Sequence, residues 1–386
     1  MKQRYLVITE LFLPTKGGTA VWFDEVYRRI GNRSSHIVTA YVPGAEAHDE
    51  DHPNTIHRLE LRRFGWMKPE SLVIYLKFLF NTLRLATFNR FTAIHAGRAL
   101  PEGLIAWLVG RLTFHSVVVY AHGEELTTWK AKLKFAMMKF VLRHADLVIS
   151  NSNFTRQELL NLGVSLARIV VIHPGVDVER FRPGLAFKDL VAQIGLESEQ
   201  CLLLSTGRLS RRKGFDSVIK SLPLVANSGL NVKYVLIGIG EDHEYLMTLA
   251  QNLGLEGHVH LLGHVETQDL ARWYNACDVF VMPNRDVAGD TEGFGLVFLE
   301  AAACGKPAIS GEAGGTADAV VHDKTGLRVD GESVKDIAGG ITRVLTEPEL
   351  AKTLGLAGCE RARADFSWSA VAARIDALGR VRRKIR

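Results

Sequence analysis

The segment GDTEGFGLVFLEAAACGKP, residues 289–307, sets two glutamates, Glu292 and Glu300, on either side of a glycine turn with seven residues between them. Before it runs the apolar stretch DVFVMPN (278–284), and after it KPAISG (306–311). Short apolar runs separated by a longer helical pattern read as strand, helix, strand, and a crossover of that kind makes the two strands parallel. The same alternation extends outward in both directions. Upstream lie RYLVITE, HIVTAYV, FTAIHAG, HSVVVYAHG, DLVISNS and RIVVIHPG. From residue 201 onward come CLLLSTGRL, NVKYVLIGIG, HVHLLGHV and, at the end, TGLRVD. Two blocks of alternating strands and helices in 386 residues imply two doubly wound α/β domains. In that architecture ligands bind at the carboxyl ends of the strands, so a ligand is expected in a central cleft faced by both domains.

The boundary is expected in HPGVDVERFRPGLAFKDL (173–190), which Pro174, Gly175, Pro183 and Gly184 punctuate. This gives an N-terminal domain over 1–178, a C-terminal domain over 179–365, and a final helix over 366–386 with Trp368, Val371 and Ile375 at packing spacing.

Composition narrows the class. Hydrophobic residues make up 47% and charged residues 23%, as in an ordinary globular protein. The four cysteines, Cys201, Cys277, Cys304 and Cys359, are scattered without C-x-x-C spacing, which argues against zinc or a disulfide framework and fits a reducing cytoplasm. No run reaches the length of a membrane span, and the N-terminal apolar run is short and reads as a first strand, not a signal peptide. The net charge of +5 is uneven: residues 1–178 hold 22 Lys+Arg against 15 Asp+Glu, the remainder 25 against 27. The positive half contains two basic apolar segments with helical periodicity, 69–91 and 127–146. They read as amphipathic helices with solvated basic faces, or as a surface resting on an anionic membrane. No nucleic-acid motif accompanies the charge.

The glycine turn explains the opening segment. A helix starting near Phe294 or Gly295 presents unpaired backbone N–H groups at Phe294, Gly295 and Leu296, and Gly293 and Gly295 let a ligand approach that anion site. Glu300, inside the helix, can accept from the vicinal hydroxyls of a ribose. Glu292, outside it, can accept from those of a sugar. A nucleotide sugar meets all three features. STGRLSRRKGFDSVI (205–219) supplies the complement: after Gly207, Arg208 as a fork and Lys213 as a point charge suit a diphosphate. Two fixed cations remove the need for a metal, and no cofactor is expected. Gly238, in GIGED (238–242), belongs to a loop expected near the nucleotide base. Gly17 and Gly18 follow the first strand, and His122 ends another beside Gly123; both positions suit a cleft. AHDEDH (47–52) offers metal-type residues but reads as a solvated loop.

With these residues assembled, the chain resembles the retaining family-4 glycosyltransferases of the GT-B fold. EGFGLVFLEAAACGKPAIS looks like the family's Glu-x7-Glu segment, GRLSRRKG like its diphosphate-binding segment, PTKGG like its glycine loop and AHGEE like its catalytic-histidine segment. The loop MPNRDVAGDTEGFG looks most like the bacterial phosphatidylinositol-mannoside type, which favours GDP-mannose over a UDP-sugar. A departure is Asp318, where the family usually has glutamate. The resemblance implies transfer of a hexose to a lipid-linked or glycan hydroxyl with retention; the expected location is the cytoplasm, with peripheral contact at the inner face of the membrane if the basic helices rest there. It implies catalytic roles for His122, Arg208, Lys213 and Glu292. Two other readings remain: a hydrolysing epimerase on the same fold, which needs carboxylate acid–base groups at the sugar, and a non-catalytic nucleotide-sugar binder. A nicotinamide oxidoreductase lacks its glycine fingerprint.

Overall fold

The computed structural model describes residues 3–15, 17–30, 34–61, 72–129 and 131–382. Lys16 of the glycine loop, the first three residues of the expected 69–91 helix, Lys130 and the last four residues lie outside them. The chain folds as two units, one of 1–174 with 368–386 and one of 175–367.

Unit 1 holds seven parallel strands: β1 (Tyr5–Ile8), β2 (His36–Ala40), β3 (Thr55–Leu59), β4 (Ala93–Ala96), β5 (Ser116–Ala121), β6 (Leu147–Ser150) and β7 (Ile169–Val171). Their order across the sheet is β3-β2-β1-β4-β5-β6-β7. Central strands such as β1 and β5 are buried throughout, as strands covered on both faces must be. On one face Trp22, Phe23, Val26 and Tyr27 of the helix Gly18–Arg29 pack with Trp368, Val371 and Ile375 of the last helix. On the other lie the helices Leu72–Phe88, Leu104–Thr113 and Lys132–His144. The final helix thus belongs to unit 1, where the Tyr5 hydroxyl bonds Asp376 at 3.2 Å.

Unit 2 holds six parallel strands: β8 (Cys201–Thr206), β9 (Val232–Ile237), β10 (Val259–Gly263), β11 (Val279–Met282), β12 (Ala308–Gly311) and β13 (Gly326–Val329), ordered β10-β9-β8-β11-β12-β13. One continuous core joins Leu202–Leu204 and Val279–Met282 to Phe298, Leu299 and Ile341 on the covering helices.

The unit boundaries fall after Pro174 and before Trp368, where 178 and 365 were expected. The Val176 N–H donates to the Phe366 carbonyl at 2.7 Å, and both side chains enter the unit 2 core, so those residues stay with unit 2. Strand β3 was not expected from the sequence. It is an edge strand whose residues are exposed or half-buried, so TIHRL carries no apolar run. The segment 127–146 is not one helix, since its helix begins at Lys132. AHDEDH is not a solvated loop: it forms the turn of helix Ala45–Glu50, with the His48 Nε2 2.8 Å from the buried Asp24 carboxylate.

Candidate functional site

In unit 2 the strand order reverses between β8 and β11, and an open α/β sheet forms its ligand crevice at such a point. The loops leaving these two strands carry the residues singled out above. After β8, Gly207 is followed by Arg208 and by a single helical turn, Arg211–Lys213. After β11 runs the long loop ending at Gly295. The loops are fastened together. The Arg285 N–H donates to the Arg212 carbonyl at 2.8 Å, and Gly214, at φ +74°, lies so close to Pro283 that an added Cβ would sit 2.1 Å from its carbonyl oxygen. The Arg285 guanidinium bonds Ser217 and the buried Asp216 carboxylate, at 2.7 and 2.8 Å.

Fastening brings Glu292 against two cations. Its Oε2 accepts from the Lys213 ammonium and from Arg212 Nη1, the latter at 2.8 Å. All three side chains are largely buried. Burial pushes the Glu292 carboxyl up, but the Lys213 and Arg212 charges outweigh it and hold the group below the usual carboxylate range. Arg212 also reaches Asp290 at 3.3 Å. Sequence reasoning missed Arg212, although it stands in the R-R-K run beside Lys213. Arg208 differs from its neighbours: it is exposed, and among the described residues no hydrogen bond or ion pair engages its guanidinium. It is a cation available to a ligand.

Glu300 is held separately. Its Oε2 accepts from the Tyr274 hydroxyl at 2.7 Å, and that hydroxyl lies 2.6 Å from the Thr206 hydroxyl at the end of β8. Burial raises the Glu300 carboxyl, with Tyr274 and then Arg180 countering part of the rise. Neither Thr206 nor Tyr274 had any sequence signal.

The glycines shape the rim. Gly207, at φ +136°, faces the Lys213 ammonium, and a Cβ there would lie 3.8 Å from it. Gly238, at φ +152°, is pressed onto Gly207, where a Cβ would meet its carbonyl oxygen at 1.8 Å. The helix begins at Leu296, later than the expected Phe294 or Gly295, because Gly295 at φ +91° cannot extend a right-handed helix. Phe294 is buried against Phe366, and Gly293 is partly exposed between it and Glu292.

In unit 1, His122 leaves β5. Its Nε2–H donates to the Gly97 carbonyl at 2.8 Å, its backbone N–H to Glu125 at 2.9 Å, and Trp22 meets its ring edge-on. Burial lowers its proton affinity, and the Arg98 charge lowers it further against the opposing Glu125. With Nε2–H given to Gly97, the neutral form of the ring leaves Nδ1 as an acceptor. Gly17, at φ +133°, has open space where a Cβ would stand, and Gly18 begins the helix that carries Trp22. Among the described residues no group of three or more His, Cys, Asp or Glu side chains is arranged to hold a metal ion. No described helix is long and apolar enough to cross a membrane.

Comparison with known proteins identifies the architecture. Residues 187–361 match the model of the glycosyl transferases group 1, and residues 16–180 that of glycosyltransferase family 4. The GDP-mannose-dependent alpha-(1-6)-phosphatidylinositol monomannoside mannosyltransferase of Mycobacterium tuberculosis is 30% identical over 377 residues, 96% of this chain and 97% of that protein. Its counterpart in Mycolicibacterium smegmatis is 28% identical over 99% of both chains. Among solved structures, Anabaena Alr3699/HepE in complex with UDP and glucose superposes with a TM-score of 0.81 at 18% identity, covering 97% of this chain and 99% of that one. The two doubly wound units are therefore those of the GT-B fold, and the chain belongs to the group 1, family-4 glycosyltransferases.

Proposed function

We propose that the protein is a retaining, metal-independent mannosyltransferase that moves mannose from GDP-mannose to a hydroxyl of a phosphatidylinositol-mannoside type of lipid. The observation that carries this reading is the buried Glu292 held between Lys213 and Arg212, with Arg208 exposed on the same loop as Lys213, on a chain similar along its whole length to GDP-mannose-dependent mannosyltransferases.

Unit 2 binds the donor. Arg208 and Lys213 neutralise the diphosphate as the bond between the anomeric carbon and the phosphate oxygen breaks, which stabilises charge that develops only in the transition state. Gly207 and the start of helix Leu296–Ala303 let backbone approach the phosphates. Glu292 accepts hydrogen bonds from the mannose hydroxyls, and Glu300, oriented by Tyr274, from the ribose. The acceptor oxygen attacks the anomeric carbon on the face the diphosphate leaves, and the departing phosphate oxygen takes its proton. That route retains configuration without a protein base, so His122 is given no proton-transfer role.

Unit 1 works at a membrane surface. Leu76, Phe80 and Phe88 on one helix and Leu133 and Phe140 on another are exposed, alongside Arg84, Lys132 and Arg143. Apolar anchors among cations suit an anionic lipid surface. Sedimentation with vesicles at low salt tests this part, and loss of binding to anionic vesicles would remove it.

The decisive experiment is calorimetric titration without metal against GDP-mannose, UDP-glucose, UDP-N-acetylglucosamine, GDP and UDP. Selective binding of GDP-mannose and GDP, lost in Lys213→Ala, is the expected result. Preference for a uridine nucleotide overturns the donor assignment, and turnover of UDP-N-acetylglucosamine without an acceptor would favour the epimerase reading.

A further inference from the structure

Lys213 carries two assignments. Its ammonium is held by the Glu292 carboxylate, and in the transfer it also neutralises the diphosphate. An ammonium has three N–H donors and can turn one to a phosphate. Its charge is then shared, and a buried carboxylate that loses part of its compensation is costly. The side chain placed to make up that loss is Arg212. Its Nη1 donates to the same Glu292 oxygen, Oε2, at 2.8 Å, and its Nε lies 3.3 Å from the Asp290 carboxylate. Both cations therefore use Oε2. Among the described residues nothing donates to Oε1, which is open to solvent.

Arg212 is itself fixed. Its carbonyl accepts the Arg285 N–H at 2.8 Å. One residue thus ties the loop after β11 at both ends, at 285 through main chain and at 290 and 292 through the guanidinium. Between those ties the chain makes a tight hairpin. Val287 and Asp290 exchange both main-chain hydrogen bonds, at 2.9 and 3.0 Å, with Ala288 at φ +54° and Gly289 at φ +90°. The Glu292 main chain is pinned from the loop after β12, where the Gly315 N–H donates to its carbonyl at 2.8 Å. With its backbone and Oε2 both held, the carboxylate has one free oxygen and one direction. A guanidinium suits this task, since its planar fork reaches Asp290 and Glu292 together, whereas an ammonium is a point charge that fixes no direction.

We propose that Arg212 is a positioning residue for the transfer: it holds the Glu292 carboxylate with Oε1 open to a hydroxyl of the donor sugar, and so frees Lys213 to meet the diphosphate. The inference rests on the donor reading of unit 2 and adds which cation stays with Glu292 once the nucleotide is bound. Without Arg212, Glu292 keeps Lys213 to itself, and the diphosphate loses a cation although Lys213 and Arg208 are both present.

The test is a double-mutant cycle read by calorimetric titration of the full chain with GDP. Arg212→Ala is expected to weaken GDP binding by about tenfold, and Arg212→Lys by less. Adding Glu292→Gln to Arg212→Ala should restore GDP affinity, because a neutral amide no longer holds Lys213. A loss in Arg212→Ala that Glu292→Gln does not restore would make Arg212 a direct ligand of the diphosphate and overturn the proposal. Unchanged GDP affinity in Arg212→Ala, with a lowered melting temperature, would overturn it as well, since that is the mark of a purely structural residue. If Arg212→Ala does not fold, Arg212→Gln, which keeps a donor for Asp290, takes its place in the cycle and is read the same way. Wild-type protein that binds no GDP overturns the donor reading itself, and the inference with it.

Discussion

Lys213 and Glu292 stand 79 positions apart in the chain and meet as a buried ion pair at the ends of β8 and β11. The pair places the cation suited to a diphosphate and the carboxylate suited to a sugar at one point. Removing either leaves the other charge buried with only part of its compensation. Lys213→Ala is expected to lower turnover by about 100-fold or more, the size of effect seen when one transition-state donor is removed. Glu292→Gln should lose turnover comparably and keep its fold, since Arg212 and Lys213 can still donate to an amide oxygen. Steady-state kinetics beside circular dichroism check both, and near-wild-type rates with an intact fold would refute the site.

Arg208 makes the contrasting prediction. Because its guanidinium is exposed and unpaired among the described residues, Arg208→Ala should leave the melting temperature unchanged. Nucleoside-diphosphate affinity should fall by about ten- to 100-fold, the worth of a hydrogen bond to a charged group. Binding of the bare nucleoside should not change. A fall in melting temperature without a fall in affinity would mean that Arg208 is structural.

Tyr274→Phe separates holding Glu300 from filling space. The ring is fully buried and stays so in phenylalanine, but the hydroxyl between Thr206 and Glu300 is lost. The expected stability cost is about 1 kcal/mol. The donor KM should rise with kcat little changed, because Glu300 is assigned to the ribose, away from the reacting bond. An equal fall in kcat would move Glu300 closer to the chemistry.

All six strands of unit 2 were legible because each carries a run of apolar residues, even the half-buried edge strand β10. β3 was not, because an edge strand can mix threonine, histidine and arginine without cost. Gly207, Lys213, Glu292 and Gly295 could be picked out from local spacing, since each sits at a strand or helix end where residue type reports backbone need. Their partners could not. That Arg212 would turn toward Glu292, or that Thr206 and Tyr274 would line up behind Glu300, depends on side chains brought together over tens of positions.

Gly238 tests the rim directly. At φ +152°, with a Cβ due 1.8 Å from the Gly207 carbonyl oxygen, alanine cannot be accommodated unless the loops after β8 and β9 part. Gly238→Ala should cost about 2–4 kcal/mol, measured by denaturant unfolding. It should also weaken donor binding through displacement of Gly207. Gly254→Ala, where φ is also positive but no atom lies within 4 Å of the added Cβ, serves as the control and should weaken stability less without touching binding.

Acid should destabilise the fold above the range where ordinary carboxylates titrate. Burial holds the His52 imidazole down to about 4, against an opposing pull from Asp24, and burial together with His36 holds His57 down to about 4. Between the ordinary histidine value near 6.5 and about 4, the unfolded chain binds these protons and the folded chain does not. Stability from the two histidines is therefore complete above about 6.5 and is lost as the pH falls through that window. Glu102 works the other way. Burial raises it to about 6, so the folded state holds its proton first and gains stability as the pH drops from about 6 toward the ordinary carboxyl value. His36, His122 and His260, also lowered chiefly by burial, add to the loss, while Glu300, Asp242 and Asp278, raised by burial, oppose it as Glu102 does; the wider histidine window leaves a net loss. Urea midpoints should fall steadily from pH 7 to pH 4.5. His52→Gln should flatten that dependence, and Glu102→Gln should steepen it, because it removes the opposing group while preserving an acceptor for the Glu10 N–H. A midpoint independent of pH in the wild-type protein, or the same slope in both variants, would show that these groups do not titrate differently on unfolding.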